Sequence, residues 1–120
     1  MKEKDNARMR LESEILKSHI NELEKQLSDI NSKKAELEYL KNSLSKLKGQ
    51  KGKEILLPFG AGVLVQGKII DDSKVLVNVG SNVLVEKSIE EAKKIVDSQI
   101  KELDSLSNLI EKEIEKYVFL

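Results

Sequence analysis

The chain has 120 residues, of which 35% are charged and 3% aromatic, with no tryptophan; this composition argues against a large globular core. Its 21 basic and 21 acidic residues cancel and are interleaved, which argues against a nucleic-acid binder with a basic face. Cysteine is absent, so disulfides and thiolate zinc sites are excluded, and no apolar run approaches the ~20 residues of a membrane span, so we expect a soluble, cytoplasmic protein.

The first predicted element is a long helix from Met9 to Leu47. Its first apolar residues follow steps of four and three, the spacing of a coiled-coil seam: Leu16, Ile20, Leu23, Leu27 and Ile30. Extending that register would place Lys34 and Lys41 on the seam. A second series predicts instead that the seam slips by one residue near the middle: Leu37, Leu40, Leu44 and Leu47.

The segment from Ile55 to Glu86 predicts four short strands in two hairpins, because its β-branched residues alternate with polar ones between turn signals. Pro58 is expected to stop the first strand at Leu57. A single chain cannot cover both hairpins, so we predict that they pair with strands of other subunits. The predicted subunit-interface residues are Ile55, Leu57, Val63, Val65, Ile69, Val75, Val77, Val79, Val83 and Val85.

The last predicted element is a helix from Ile89 to Leu120, opened by a capping box of Ser88 and Glu91. An apolar residue recurs every seventh position, at Ile89, Val96, Leu103, Ile110 and Tyr117, and four more residues widen the stripe: Ala92, Ile100, Leu106 and Ile114. We expect the two helices to pair antiparallel, which divides the chain into residues 1–48, 49–87 and 88–120. The second helix is ~45 Å long against ~65 Å for the first, so the start of the first helix should have little cover.

The sequence predicts no enzyme, no cofactor and no metal. Gly60 and Gly62 lack the third glycine of a dinucleotide loop, because Val65 stands in its place. The one histidine, His19, has no second histidine with which to hold a metal, and a solvated position beside the seam is the simpler interpretation.

The order of helix, two hairpins and helix, with the runs Glu54–Gly62, Lys74–Gly80 and Val83–Ser88, resembles the α-type subunit of the prefoldin family. The resemblance implies an α+β fold: a long antiparallel coiled coil with two central β-hairpins that join an oligomeric β-barrel base. It also implies a hexamer of two α-type and four β-type subunits. Such a hexamer is an ATP-independent holdase that binds unfolded proteins at its coiled-coil ends and passes them to a group II chaperonin. Family α chains usually continue the last helix further than this sequence does.

Apolar residues at the free end of the predicted coil are the expected client-binding surface: Met9, Leu11, Ile15, Leu16, Tyr117, Val118, Phe119 and Leu120. For Leu16 and Tyr117 the alternative is that they only close the coil. A structural or filament-forming relative is the main alternative function, because one sequence does not distinguish strands that close into a ring from strands that associate without end. An RNA-binding coil is disfavoured by the balanced charge.

Overall fold

A computed structural model of the chain describes residues 2–118 and confirms the predicted fold class, two long helices with two β-hairpins between them. The elements are α1 (Lys2–Leu47), β1 (Glu54–Gly60), β2 (Val63–Lys68), β3 (Lys74–Asn78), β4 (Leu84–Ser88) and α2 (Ile89–Val118). Helix α1 thus begins earlier than the predicted Met9. The predicted client-binding residues Phe119 and Leu120 lie outside the described residues.

The chain packs as two compact units, through which both helices pass. The helical unit comprises Met1–Glu36 with Ile100–Leu120, and the hairpin unit comprises Leu37–Gln99. In the helical unit Leu23, Ile30 and Ile110 form a buried core against which four partly buried side chains pack: Leu27, Leu103, Ile114 and Tyr117. Because His19 lies opposite Glu113 and Lys34 lies opposite Asp104, the partners follow opposite orders along the two helices, which therefore form an antiparallel coiled coil.

The predicted slip of the α1 seam is wrong. Leu37 and Leu44, which continue the register of Leu16 and Ile30, are buried, whereas Leu40 is exposed. The steps of four and three therefore continue through Leu44, and Leu40 lies beside the seam, where it lines a groove with residues of β3. Leu47, the other residue that the slip placed on the seam, is half-buried at the end of α1.

An unbroken register places Lys34 and Lys41 on the seam, and each forms an ion pair across to α2. Lys34 pairs with Asp104 in the helical unit, and in the hairpin unit Lys41 Nζ lies 2.7 Å from Asp97 Oδ1. The hydrogen bond to Asp97 and the attraction between the two charges raise the pKa of Lys41 above its ordinary value. A lysine can occupy such a position because its alkyl stem covers apolar surface while its ammonium reaches the edge of the seam.

Helix α2 begins as predicted and differs from prediction further along. The Glu91 N–H donates to Ser88 Oγ at 3.1 Å, and the Ser88 hydroxyl donates to the Glu91 carboxylate at 3.2 Å, which caps the helix. Leu106 does not widen the buried stripe, because it is 46% exposed. The seam position beside it belongs to Ser107, which is buried and follows Leu103 by four residues.

Both hairpins are antiparallel and two-stranded. Strand β1 does not stop before Pro58, which pairs with Leu64; a proline is tolerated there because neither strand has a further neighbour in its sheet. The register then shifts between Pro58 and Gly60, which places Phe59 at an irregularity near the hairpin turn. In the second hairpin Val77 pairs with Val85.

The loop between the hairpins holds the adjoining ends of both helices within the hairpin unit. The Gly49 N–H donates to Asp72 Oδ2 at 2.8 Å, and the Ile89 N–H donates to the Ser73 carbonyl at 3.2 Å. The Ser73 hydroxyl and N–H donate to Asp71 Oδ1 at 2.7 and 2.8 Å, and these hydrogen bonds, chiefly that of the hydroxyl, lower the pKa of Asp71. One polar loop therefore sets where β3 begins relative to α1 and α2.

Candidate functional site

The second hairpin has one face against its own helices and one face toward solvent. Side chains alternate along β3, with Val75 and Val77 half-buried, and Val85 of β4 is half-buried beside them. Val75 and Val77 line an apolar groove of about 440 Å³ in the hairpin unit, together with residues of α1 and α2. The outward face instead carries Leu76 and Leu84, both exposed.

The first hairpin is almost bare on both faces. Only Ile55 and Gly67 are partly covered, and every other residue of β1 and β2 is exposed. The exposed apolar side chains are Leu56, Leu57, Phe59, Val63, Leu64 and Val65. Phe59 is 78% exposed, which is costly for an aromatic side chain in water. Apolar area of this extent on a two-stranded sheet indicates an association surface.

Sequence reasoning selected only one face of each hairpin. The predicted interface residues follow the valines at every second position and omit the exposed apolar residues between them: Leu56, Phe59, Leu64, Leu76 and Leu84. The missed signal was that apolar residues occupy both faces of the strands. Such a pattern is typical of strands that are covered on both faces, and in the second hairpin the chain itself covers one face.

A second exposed apolar set lies near the start of α1 in the helical unit. Met9, Leu11 and Ile15 are 67%, 58% and 60% exposed. Met9 precedes Leu16 by seven residues and continues the seam. Leu11 and Ile15 are four residues apart on a different face, so a helix that covered the seam beside Met9 would leave them exposed.

The other predicted client-binding residues are divided between the coil and solvent. Leu16 and Tyr117 are half-buried, and the Tyr117 ring meets the His19 ring edge-on with centroids 5.1 Å apart. His19 Nε2 lies 3.6 Å from Glu113 Oε1. Tyr117 therefore packs across the helices, as expected of a residue that closes the coil, whereas Val118 is exposed.

The helical unit also carries an apolar groove that the sequence did not predict. It has a volume of about 470 Å³ and is lined by Leu106 and Leu109 of α2 beside the seam residues Leu23, Ile30 and Ile110. Leu109 is 64% exposed. The sequence pattern placed Leu106 in the buried stripe and did not include Leu109, so it predicted neither the exposure of these leucines nor the groove between them and the seam.

Within residues 2–118, no three histidine, cysteine or acidic side chains are arranged to hold a metal ion. In the same range neither helix is long and apolar enough to cross a membrane.

Comparisons with known proteins agree on one family. The model of the prefoldin subunit family matches residues 16–118. The chain is 34% identical over 103 residues to prefoldin subunit alpha of Pyrococcus horikoshii, covering 84% of this chain and 70% of that protein. It is 36% identical over 106 residues to prefoldin subunit alpha of Methanococcus maripaludis, covering 86% of this chain and 70% of that protein. Among solved structures, filamentous PFD from Methanocaldococcus jannaschii has a TM-score of 0.77 and 29% identity, with 86% of each chain covered.

Proposed function

The chain belongs to the prefoldin family, and from this membership we propose that it is an α-type subunit of an ATP-independent holdase chaperone. The observation that carries the proposal is the exposure of Met9, Leu11 and Ile15 on two faces of one helix. Its partners on this proposal are β-type subunits, in a hexamer of two α-type and four β-type chains, unfolded clients, and a cytoplasmic group II chaperonin that receives them.

Holding by these side chains requires only burial of apolar surface. Full burial of one such side chain is worth roughly 1.5–3 kcal/mol. About three-fifths of the surface of each side chain is exposed and can be buried by a client, so each side chain contributes about 1–2 kcal/mol to the free energy of client binding. One helix end therefore binds weakly, and several ends in one assembly bind a long client by multivalency. Weak individual contacts also allow release to the next chaperone.

The two hairpins supply the association surface of the proposed assembly. The first hairpin is exposed on both faces and the second on the face that carries Leu76 and Leu84. Covering these faces with strands of β-type subunits satisfies the unpaired edges and the exposed apolar area together.

The test is a triple variant, Met9→Ser, Leu11→Ser and Ile15→Ser, in the assembled complex. We expect an assembly of unchanged mass that suppresses aggregation of a denatured client less well than the parent does. The matched control is Leu106→Ser with Leu109→Ser, which removes exposed leucines elsewhere in the helical unit. If the triple variant protects the client as well as the parent does, holding occurs at another surface.

A filament-forming assembly is the second candidate, favoured by the similarity to filamentous PFD. The two candidates predict different masses. The holdase subunit alone should give a mixture or an aggregate and should form a particle of one fixed mass with a β-type partner. A filament subunit grows with concentration and without that partner, which light scattering measures directly.

A further inference from the structure

Four side chains near the start of α1 form one stripe along the helix. Lys4, Arg8, Leu11 and Ile15 follow steps of four, three and four residues, so they lie above one another on one face. All four are exposed. We call them the outer stripe, because this face is not the one that continues the seam. It presents two cations followed by two aliphatic groups over ~16 Å of helix.

The row of side chains that forms the outer stripe carries cations and no carboxylate. From residue 4 to residue 18 the row has the two cations, and Glu22 is its next acidic residue. Glu12 lies beside the row, four residues after Arg8 and three before Ile15, and its carboxylate accepts a hydrogen bond from Arg8 Nε at 3.2 Å. The Arg8 side chain is still 79% exposed, and a guanidinium has further N–H donors to offer.

We infer that the outer stripe binds unfolded segments in which an acidic residue lies close to aliphatic ones. An extended chain advances about 3.3 Å per residue, so a client segment of roughly five residues spans the stripe. Its aliphatic side chains bury Leu11 and Ile15 while its carboxylate pairs with Lys4 or Arg8. The inference rests on the proposed holdase function and adds a preference among clients.

The test compares two reduced, denatured clients of similar size and opposite charge, α-lactalbumin, which is acidic, and lysozyme, which is basic. The variant Lys4→Glu with Arg8→Glu is assembled as the parent is, and protection from aggregation is measured for both clients. Exposed ion pairs are weak, so we expect the ratio of acidic-client to basic-client protection to fall roughly three- to tenfold. The parent's preference for the acidic client should also decrease at high salt, because salt screens exposed charges.

The matched control is Arg10→Glu with Lys17→Glu, which makes the same change in net charge on another face of α1, because these two exposed residues are seven positions apart and lie outside the stripe. An equal loss of preference in the control would overturn the inference, because a long-range field would then explain it. An unchanged ratio in the stripe variant would also overturn it. The proposed holdase function is tested separately, by the triple serine variant of Met9, Leu11 and Ile15. If that variant loses protection while the stripe variant keeps the parent's ratio of acidic-client to basic-client protection, the holdase function stands and only the preference for acidic clients fails.

The outer stripe could instead be covered by another subunit of the assembly, which a further variant tests. If Leu11→Ser with Ile15→Ser lowers the mass of the assembly, the outer stripe contacts another subunit, and the inference fails. Unchanged mass together with the shifted client ratio supports it.

Discussion

The exposed leucines of the two hairpins should determine the strength of subunit association. We consider two double variants, Leu56→Ser with Leu64→Ser in the first hairpin, and Leu76→Ser with Leu84→Ser in the second. These leucines are 61%, 57%, 66% and 58% exposed, so each is free to bury most of its surface against a partner. Serine at an exposed position leaves the fold of the chain intact, so any loss should appear in association.

The expected magnitude follows from the exposed area. Full burial of a leucine is worth about 1.5–3 kcal/mol, so the exposed three-fifths is worth about 1–2 kcal/mol. Each double variant therefore loses about 2–4 kcal/mol at one contact. At 1.4 kcal/mol for each factor of ten, the dissociation constant of that contact rises roughly 30- to 700-fold.

The assay is the mass of the complex with a β-type partner across a dilution series, measured by light scattering, with helix content followed by circular dichroism. We expect both double variants to dissociate at higher concentrations than the parent while keeping its helix content.

Val77→Asp should behave differently from the double leucine variants. Val77 is half-buried within its own hairpin unit, so a buried carboxylate there should reduce the stability of the chain as well as its association.

The control is Leu106→Ser with Leu109→Ser, two exposed leucines of the helical unit. If the hairpin variants keep the parent's dissociation midpoint, or if the control dissociates as they do, then the hairpin faces do not hold the assembly together.

Three further predictions concern the coil and the loop between the hairpins. Leu23→Ala removes a buried core side chain and should lower the free energy of unfolding by about 2–5 kcal/mol in urea titrations; a loss below ~0.5 kcal/mol would contradict its burial. The Lys41–Asp97 pair raises the pKa of Lys41, so its stabilisation is present below the ordinary lysine pKa of ~10.4 and is lost as pH rises through the higher folded value. The difference in melting temperature between the parent and Asp97→Asn should therefore hold to about pH 10 and shrink above it, and a difference that persists unchanged well above that pH would contradict the assignment. Because Ser73 lowers the pKa of Asp71, the stabilisation from this turn is present above the ordinary value of ~3.9 and is lost as pH falls through the lower folded value. Carboxyl NMR should place the Asp71 midpoint below ~3.9 and Ser73→Ala should raise it; equal midpoints in both proteins would refute the turn.

Local patterns were sufficient to predict the elements of this fold. The Ser88 and Glu91 pair placed the start of α2, because a helix cap depends on residues a few positions apart. The alternation of valines placed the strands to within a few residues. Pro58 misled the strand assignment, because its effect depends on how many neighbours a strand has, which a local pattern does not contain.

The seam of α1 shows where local pattern ceases to be sufficient. Leucine spacing alone favoured Leu40 as a seam residue, whereas in the folded chain Lys34 and Lys41 are half-buried on the seam and pair with carboxylates of α2. The choice depends on α2, which supplies a carboxylate opposite each lysine, and on β3, which lies beside Leu40.

The sequence by itself determined that this chain forms two heptad helices around two hairpins, because helix periodicity, caps and turns are properties of neighbouring residues. Only the tertiary structure decided which apolar residues of the seam and the hairpins remain exposed. Leu37 and Leu40 both fit the leucine spacing of the sequence, yet Leu37 is buried on the seam, whereas Leu40 is exposed beside it. Exposure at such positions depends on what packs against a residue from distant parts of the chain, which local patterns do not contain.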